Sequence, residues 1–205
     1  LDFLQNSTPQ LSLKTIISPQ KDKLETLVNA LRFIGNHNGI IFCNFKDTIS
    51  RISEFLTENR INHGCFYGGM EQKDRERSLI KFRNGSYQIL LATDLAARGI
   101  DVPELDFIIH YHLPVRSQEF THRSGRTARM NTNGTAYILA WEEEKLPEFI
   151  EQLFPEAIDI TGDHIVEEAI VWTTLFISGG RKDKISKGDI AGAFFKQGKL
   201  KPNQL

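Results

Sequence analysis

A chain of 205 residues with a net charge of −1, 40% hydrophobic and 25% charged residues, suits one large α/β domain, or one domain with an appendage. The near-neutral balance excludes a surface that binds polyanions everywhere, no apolar run is long enough to span a bilayer, and no signal-peptide pattern opens the chain. Cys43 and Cys65 lie in apolar runs without metal-type spacing, so they read as free thiols in a reducing cytoplasm, with no metal site and no membrane partner. The first residue is not Met, and the chain reads as a piece of something longer.

Residues 1–10, with Asn6, Ser7, Thr8 and Pro9, read as a linker. Leu11 to Ile17 alternates like a strand and stops before Pro19. Leu24, Leu27, Val28, Leu31 and Ile34 follow helical spacing, and Gly35 closes that helix. Gly39 to Cys43 is a short, continuously apolar run, as in a strand buried on both faces. Ile49, Ile52, Phe55 and Leu56 mark the next helix. His63 to Tyr67 reads as a strand ending in Gly68 and Gly69, and a helix with Leu79, Ile80 and Phe82 stops at Asn84 and Gly85. Gln88 to Ala92, Asp106 to His110 and Gly134 to Ala140 are further strands. Charge is uneven along this order. Residues 72–83 carry five basic side chains against two acidic, residues 141–168 ten acidic against one basic, and residues 181–201 seven basic against two acidic. Nucleic-acid contact should therefore be local, and the acidic block reads as a solvated helix face.

Short apolar strands alternating with amphipathic helices predict an α/β fold with a doubly wound parallel sheet. Ligands in such sheets bind beyond the carboxyl ends of the strands. That places chemistry at Asn44, at Gly68 and Gly69, at Thr93 and Asp94, and at Tyr111 and His112. The densest functional signal follows these: His122 to Arg129 packs three arginines and a histidine into eight residues. If that segment is helical, His122, Arg126 and Arg129 share one face at i, i+4 and i+7, where like charges repel and an anion is the natural partner. A solvated basic face is the bland alternative. Earlier in the chain, Gly69 precedes a helix presenting Gln72 and Arg75 at i and i+3, a plausible contact to a phosphate backbone. Thr93 and Asp94 close a strand; Asp94 also suits a helix N-cap. Gly99 permits close backbone approach, and Asp101 offers a carboxylate to a ribose.

Four motifs now stand in order: Ile40-Ile-Phe-Cys-Asn44, Gly69-x-x-Gln72-x-x-Arg75, Ala92-Thr-Asp-x-Ala-Ala-Arg-Gly-x-Asp101 and His122-Arg-x-Gly-Arg-x-x-Arg129. Together they closely resemble motifs IV to VI of the DEAD-box RNA helicases, in the second RecA-like domain, over about residues 11–160. The resemblance implies that Arg126 and Arg129 are arginine fingers for the γ-phosphate and that Asp101, with Gly99, meets the nucleotide. Gln72, Arg75, Thr93 and Gly69 would contact the RNA backbone. His122, Arg123 and Arg98 would lie at the cleft that couples two domains. The chain departs from the family at Tyr67 to Gly69, where His-Gly-Asp is common, at Phe45 where Thr or Ser often follows the Asn, and at Ser124 and Ala128.

No G-x-x-x-x-G-K-[ST] loop and no Asp-Glu-Ala-Asp occurs in the chain. The resemblance assigns ATP and Mg²⁺ mainly to an N-terminal RecA-like domain upstream, and the 205 residues are expected to be inactive alone. From Trp172 a strand, a turn and a basic helix start near Gly188 and Asp189 resemble the opening of the RRM-like RNA-binding domain of DbpA-type helicases, which recognises ribosomal RNA. The expected division is a linker over 1–10, a RecA-like helicase C-terminal domain over 11–165, and the start of that RNA-binding domain over 166–205. The alternatives are a non-enzymatic RNA-binding or scaffold module on the same fold and, more weakly, half of a DNA helicase. Arg126, Arg129 and Asp101 argue against a scaffold, which has no need of γ-phosphate sensors.

Overall fold

The computed structural model describes residues 11–97, 102, 105–127, 134–162 and 172–205. In chain order these form β1 (Leu11–Ser18), α1 (Leu24–Ile34), β2 (Gly39–Phe42), α2 (Lys46–Glu58), β3 (His63–Phe66), α3 (Gln72–Arg83), β4 (Ile89–Ala92), the single turn α4 (Asp94–Ala97), β5 (Phe107–His110), α5 (Ser117–Ser124), β6 (Gly134–Trp141), the single turn α6 (Glu148–Glu151), the two-residue β7 (Glu156–Ala157) and α7 (Lys187–Lys196). The seven strands make one sheet in the order β3-β4-β2-β5-β6-β1-β7, and every pairing is parallel.

The apolar strand runs explain this sheet. Parallel strands need helical crossovers on both faces, so the central strands must be apolar on both sides. The period of two divides β2, β4 and β5 cleanly. Ile41, Leu91 and Ile109 meet Leu27 and Leu31 of α1 and Ile49, Ile52 and Leu56 of α2. Ile40, Phe42, Leu90 and Ile108 pack on the other face with Phe82 of α3 and Ala96 and Ala97 of α4. The α1 spacing read from sequence buries Leu24, Leu27, Val28 and Leu31, and Gly35 closes that helix at φ 79° with its N–H donating to the Leu31 carbonyl at 2.9 Å.

The chain forms two compact units, Leu1–Thr173 and Thr174–Leu205. In the second, α7 begins at Ser186, whose hydroxyl accepts from the Asp189 N–H while the Asp189 carboxylate accepts from the Ser186 N–H, a reciprocal cap. Both thiols are free, with Cys43 buried and Cys65 half-buried. Among the described residues no helix is long and apolar enough to cross a membrane.

Three expectations differ from the structure. The strand expected over Trp172 to Gly180 is absent: those residues lie outside helix and strand, because an extended segment becomes a strand only when a neighbour completes its ladder. The acidic block is not one helix face; its described part holds the end of β6, the single turn α6, β7 and connecting loops. And α5 stops at Ser124, where the Gly125 N–H caps the Thr121 carbonyl at 2.9 Å, so His122 and Arg126 do not share a continuous helix. Arg129, with Arg98, Gly99 and Asp101, lies outside the described residues.

Gly39 opens β2 where a Cβ would stand 2.3 Å from the Phe107 ring of β5. That ring is buried and packs edge-on against Tyr137, so it has no free direction in which to retreat. Gly39→Ala is expected to cost about 1–3 kcal/mol of stability through overpacking, read as a lowered midpoint in denaturant unfolding.

Candidate interdomain and nucleic-acid site

The candidate site is built where four strands end. Arg123, on the inner face of α5, is only 1% exposed. Its Nε donates to Asp94 Oδ1 at 2.7 Å and Nη2 to Asp94 Oδ2, a two-pronged pair with the residue after β4 and Thr93. Its Nη1 donates to the His112 carbonyl at 2.7 Å, beyond β5, and Nη2 also donates to Asn44 Oδ1 at 2.8 Å, beyond β2. The guanidinium carbon stands 5.3 Å from the Phe42 ring centre. One side chain thus ties three loops at the carboxyl edge. Arg123, expected with His122 among the residues of an interdomain cleft, lines the cleft described below but is buried, with its donors turned inward. The reason is helical period within α5: Phe120 and Arg123 share one face at i and i+3, and both are buried. That pattern was available in the sequence.

The neighbours complete the lock. The Asn44 N–H donates to His112 Nδ1 at 3.0 Å and the Asn44 side-chain amide to the Leu113 carbonyl at 3.3 Å. His112 is therefore a neutral ring with its proton on Nε2, and burial, helped by the positive charges of Lys23 and Arg123, holds its pKa below the usual range. His110, two residues earlier at the end of β5, is fully buried and stacks on Phe120 at 5.1 Å and Phe42 at 6.4 Å between ring centres. Among the described residues neither of its nitrogens has a hydrogen-bond partner. Burial above all, and Arg123 beside it, push its pKa down to about 3. Lys23, just before α1, is also buried: its Nζ donates to the Leu139 carbonyl at 2.8 Å and to Glu144 at 3.0 Å.

Outside this lock lies a cleft open to solvent, lined by Asp94, Glu119, His122, Arg123 and Arg126, together with Phe42 and Ala97. His122 is exposed and Arg126 half-buried. The turn that carries Arg126 is fixed by two backbone bonds and by the Thr127 hydroxyl, which donates to the Leu105 carbonyl at 2.6 Å. So the two residues meet at one cleft even though the helix ends between them.

A second group lies along the same edge. Gly69 is exposed in the turn after β3, and the Met70 N–H closes that turn on the Tyr67 carbonyl at 3.2 Å. Gln72 opens α3 and donates to Glu76 Oε1 at 2.8 Å. Arg75 is half-buried with its guanidinium 4.9 Å from the Phe66 ring centre. Thr93 ends the adjacent β4, and its N–H reaches the Phe66 carbonyl at 3.3 Å. The structure brings Gly69, Gln72, Arg75 and Thr93 to neighbouring strand ends, and His122 and Arg126 to the cleft near β2, β4 and β5. Among the described residues no cluster of three or more His, Cys, Asp or Glu could hold a metal ion.

Two expected outcomes follow from this geometry. Arg123→Ala leaves Asp94, Asn44 and the His112 carbonyl without their common donor and should cost roughly 2–4 kcal/mol; Arg123→Lys should recover little, because an ammonium cannot serve the planar fork. Thermal unfolding of both variants measures this. For His110 the folded pKa lies below the unfolded value of about 6.5, so the unfolded chain binds the extra proton first. Stability is full above pH 6.5 and falls as pH drops toward 3, by up to about 1.4 kcal/mol per pH unit for this group. His110→Phe keeps the stack and should flatten that acid limb in unfolding measured between pH 7 and pH 4.

Comparison with known proteins agrees with this arrangement. The model of the helicase conserved C-terminal domain matches residues 22–131, and that of the DbpA RNA binding domain matches residues 174–205. The ATP-dependent RNA helicase DbpA of Escherichia coli is 30% identical over 193 residues, covering 92% of this chain and 42% of that protein. Its namesake from Bacillus subtilis is 28% identical, covering 86% and 43%. A DEAD box protein of the hyperthermophile Methanococcus jannaschii superposes with a TM-score of 0.64 at 26% identity, covering 73% of this chain and 42% of that one. The chain spans less than half the length of each of these. With a parallel sheet whose carboxyl edge carries the expected motifs, it belongs to the helicase conserved C-terminal domain family in its DEAD-box form, with a DbpA-type RNA-binding segment at its C-terminal end.

Proposed function

We propose that this chain is the half of an ATP-dependent RNA helicase that supplies arginine fingers and RNA-backbone contacts for local duplex unwinding. The observation that carries the reading is the cleft where Arg126 and His122 stand on a turn and helix clamped by Arg123 and Thr127. A planar fork held by a rigid base suits charge that builds on a terminal phosphate only in the transition state.

The residues fit ATP at its outer phosphate alone. Arg126, joined by Arg129, would stabilise charge there; Asp101 and Gly99 would meet the ribose and the close-lying backbone; His122 and Arg98 would face the partner domain, with Arg123 steadying the cleft from behind. When bound with Mg²⁺, mainly by an N-terminal RecA-like domain, ATP supplies the phosphoanhydride whose hydrolysis drives opening. Gly69, Gln72, Arg75 and Thr93 would hold the sugar-phosphate chain without reading bases. The segment from 166 onward opens the RNA-binding domain, and by the DbpA resemblance its target is ribosomal RNA. The two free thiols suit the cytoplasm.

The test compares the 205-residue chain with the same chain joined to a DEAD-box N-terminal RecA-like domain. The chain alone should show no Mg²⁺-dependent ATP hydrolysis. The joined protein should show RNA-stimulated turnover, and Arg126→Ala should lower it by roughly 10³–10⁵ with RNA binding retained. A joined protein that binds RNA without turnover would favour the scaffold reading, and near-normal turnover in Arg126→Ala would remove the finger role.

A further inference from the structure

The carboxyl edge holds one residue that neither the fold nor the helicase reading uses. Phe45 follows Asn44 at the end of β2 and takes the N-cap position of α2 in extended conformation, with no side-chain cap on the helix. Ser, Thr, Asn or Asp at that place would stabilise the helix start. The ring is also 65% exposed, so folding gains little from its apolar surface.

What the ring does have is a rigid seat. It stands edge-on to His112, with centroids 5.7 Å apart and planes at 68°. His112 is fixed through Nδ1 by the Asn44 N–H and through its carbonyl by Arg123, and Asn44 is held by Arg123 and the Leu113 carbonyl. A ring seated on locked neighbours loses little freedom when a ligand covers it. Its position is equally specific. Sheet order sets the end of β2 directly beside the end of β4, which carries Thr93, and β3 with Gly69, Gln72 and Arg75 comes next. Lys46, the following residue, is exposed. An aromatic face next to a cation, in line with backbone-contact residues, is the composition of a single-strand nucleic-acid platform.

We propose that Phe45 is a stacking platform for one base of a single-stranded RNA whose backbone runs past Arg75, Thr93 and Lys46. The proposal rests on the helicase reading of this edge and adds a base contact to it. Stacking is tolerant of sequence because every base has a π-face, so Phe45 adds affinity and registers the strand without selecting a base.

The test uses the full chain, joined to its N-terminal domain, and single-stranded RNA carrying one 2-aminopurine, with affinity from anisotropy and stacking from fluorescence quenching. Phe45→Leu should weaken binding roughly five- to hundredfold, abolish the quenching, and leave the dependence of affinity on salt unchanged, because no charge is removed. Phe45→Trp should keep both affinity and quenching. Arg75→Ala should lower the salt slope by about 0.7 and keep the quenching once RNA is saturating. If Phe45→Leu matches wild type while Arg75→Ala lowers the slope, stacking is wrong and the backbone reading stands. If neither variant has an effect, the backbone reading fails with it. A Phe45→Leu protein with normal RNA affinity and quenching but slowed ATP turnover would place the ring against the other domain and overturn the proposal.

Discussion

The constraint on which the rest of this structure depends is the buried guanidinium of Arg123. A buried cation is costly to desolvate, and its partners compensate only when the geometry is close to ideal. Here the fork meets a carboxylate in two bonds, a backbone carbonyl in a third and a side-chain amide oxygen in a fourth. Those partners sit after β4, β5 and β2, which are neighbours in the sheet. A hydrophobic residue of the same volume could fill the space, but it could not hold three separate loop ends in one relative position. The polar lock trades stability for placement.

Everything that faces outward at this edge inherits that placement. Arg126 is two residues past the helix that carries Arg123, and its turn has a second anchor at Thr127. Asn44 and His112 bind one another and the same guanidinium, which fixes the seat of Phe45. Thr93 precedes the Asp94 that receives the salt bridge. A site that binds charge needs donors that do not reorganise when the charge arrives, and a core-anchored arginine behind the surface arginine supplies that rigidity. His110 belongs to the same design. With no hydrogen-bond partner among the described residues it stays neutral beside Arg123, and its ring fills the space between Phe42 and Phe120 as a flat apolar body would.

The segment that matches the DbpA RNA binding domain follows different rules. From Thr174 the chain forms its own compact unit, and its helix starts on a reciprocal Ser186–Asp189 cap, not on long-range packing. Leu175, Phe176 and Ile177 are exposed there, and no residue of α7 is buried. Local hydrogen bonds are enough to set a helix start, whereas a strand requires a partner, which is why the helix expected near Gly188 is present and the strand expected from Trp172 is not.

The sequence by itself determined β1 to β6 and α1 to α3 of the RecA-like unit, because burial on one or both faces leaves a period of 3.6 or 2 that needs no knowledge of neighbours. Leu27 and Leu31, Ile40 and Ile41, and Ile108 and Ile109 fall where their spacing puts them. It also determined which strand ends would carry polar chemistry, since the motifs at Asn44, Thr93, Asp94 and His122 follow apolar runs in fixed order. What only the tertiary structure decided is which partners the inward-facing polar residues meet. Arg123 and Arg126 are the same residue type three positions apart and line the same cleft, yet Arg123 is buried with its donors turned inward and Arg126 is half-buried on the turn beyond the helix. Motif spacing groups them, but burial depends on strand order, and strand order brings Asn44, Asp94 and His112 together from places 50 and 18 residues apart in the chain. Long-range convergence of this kind leaves no periodic trace in the sequence, so the partners that hold Arg123 became visible only when the sheet was assembled.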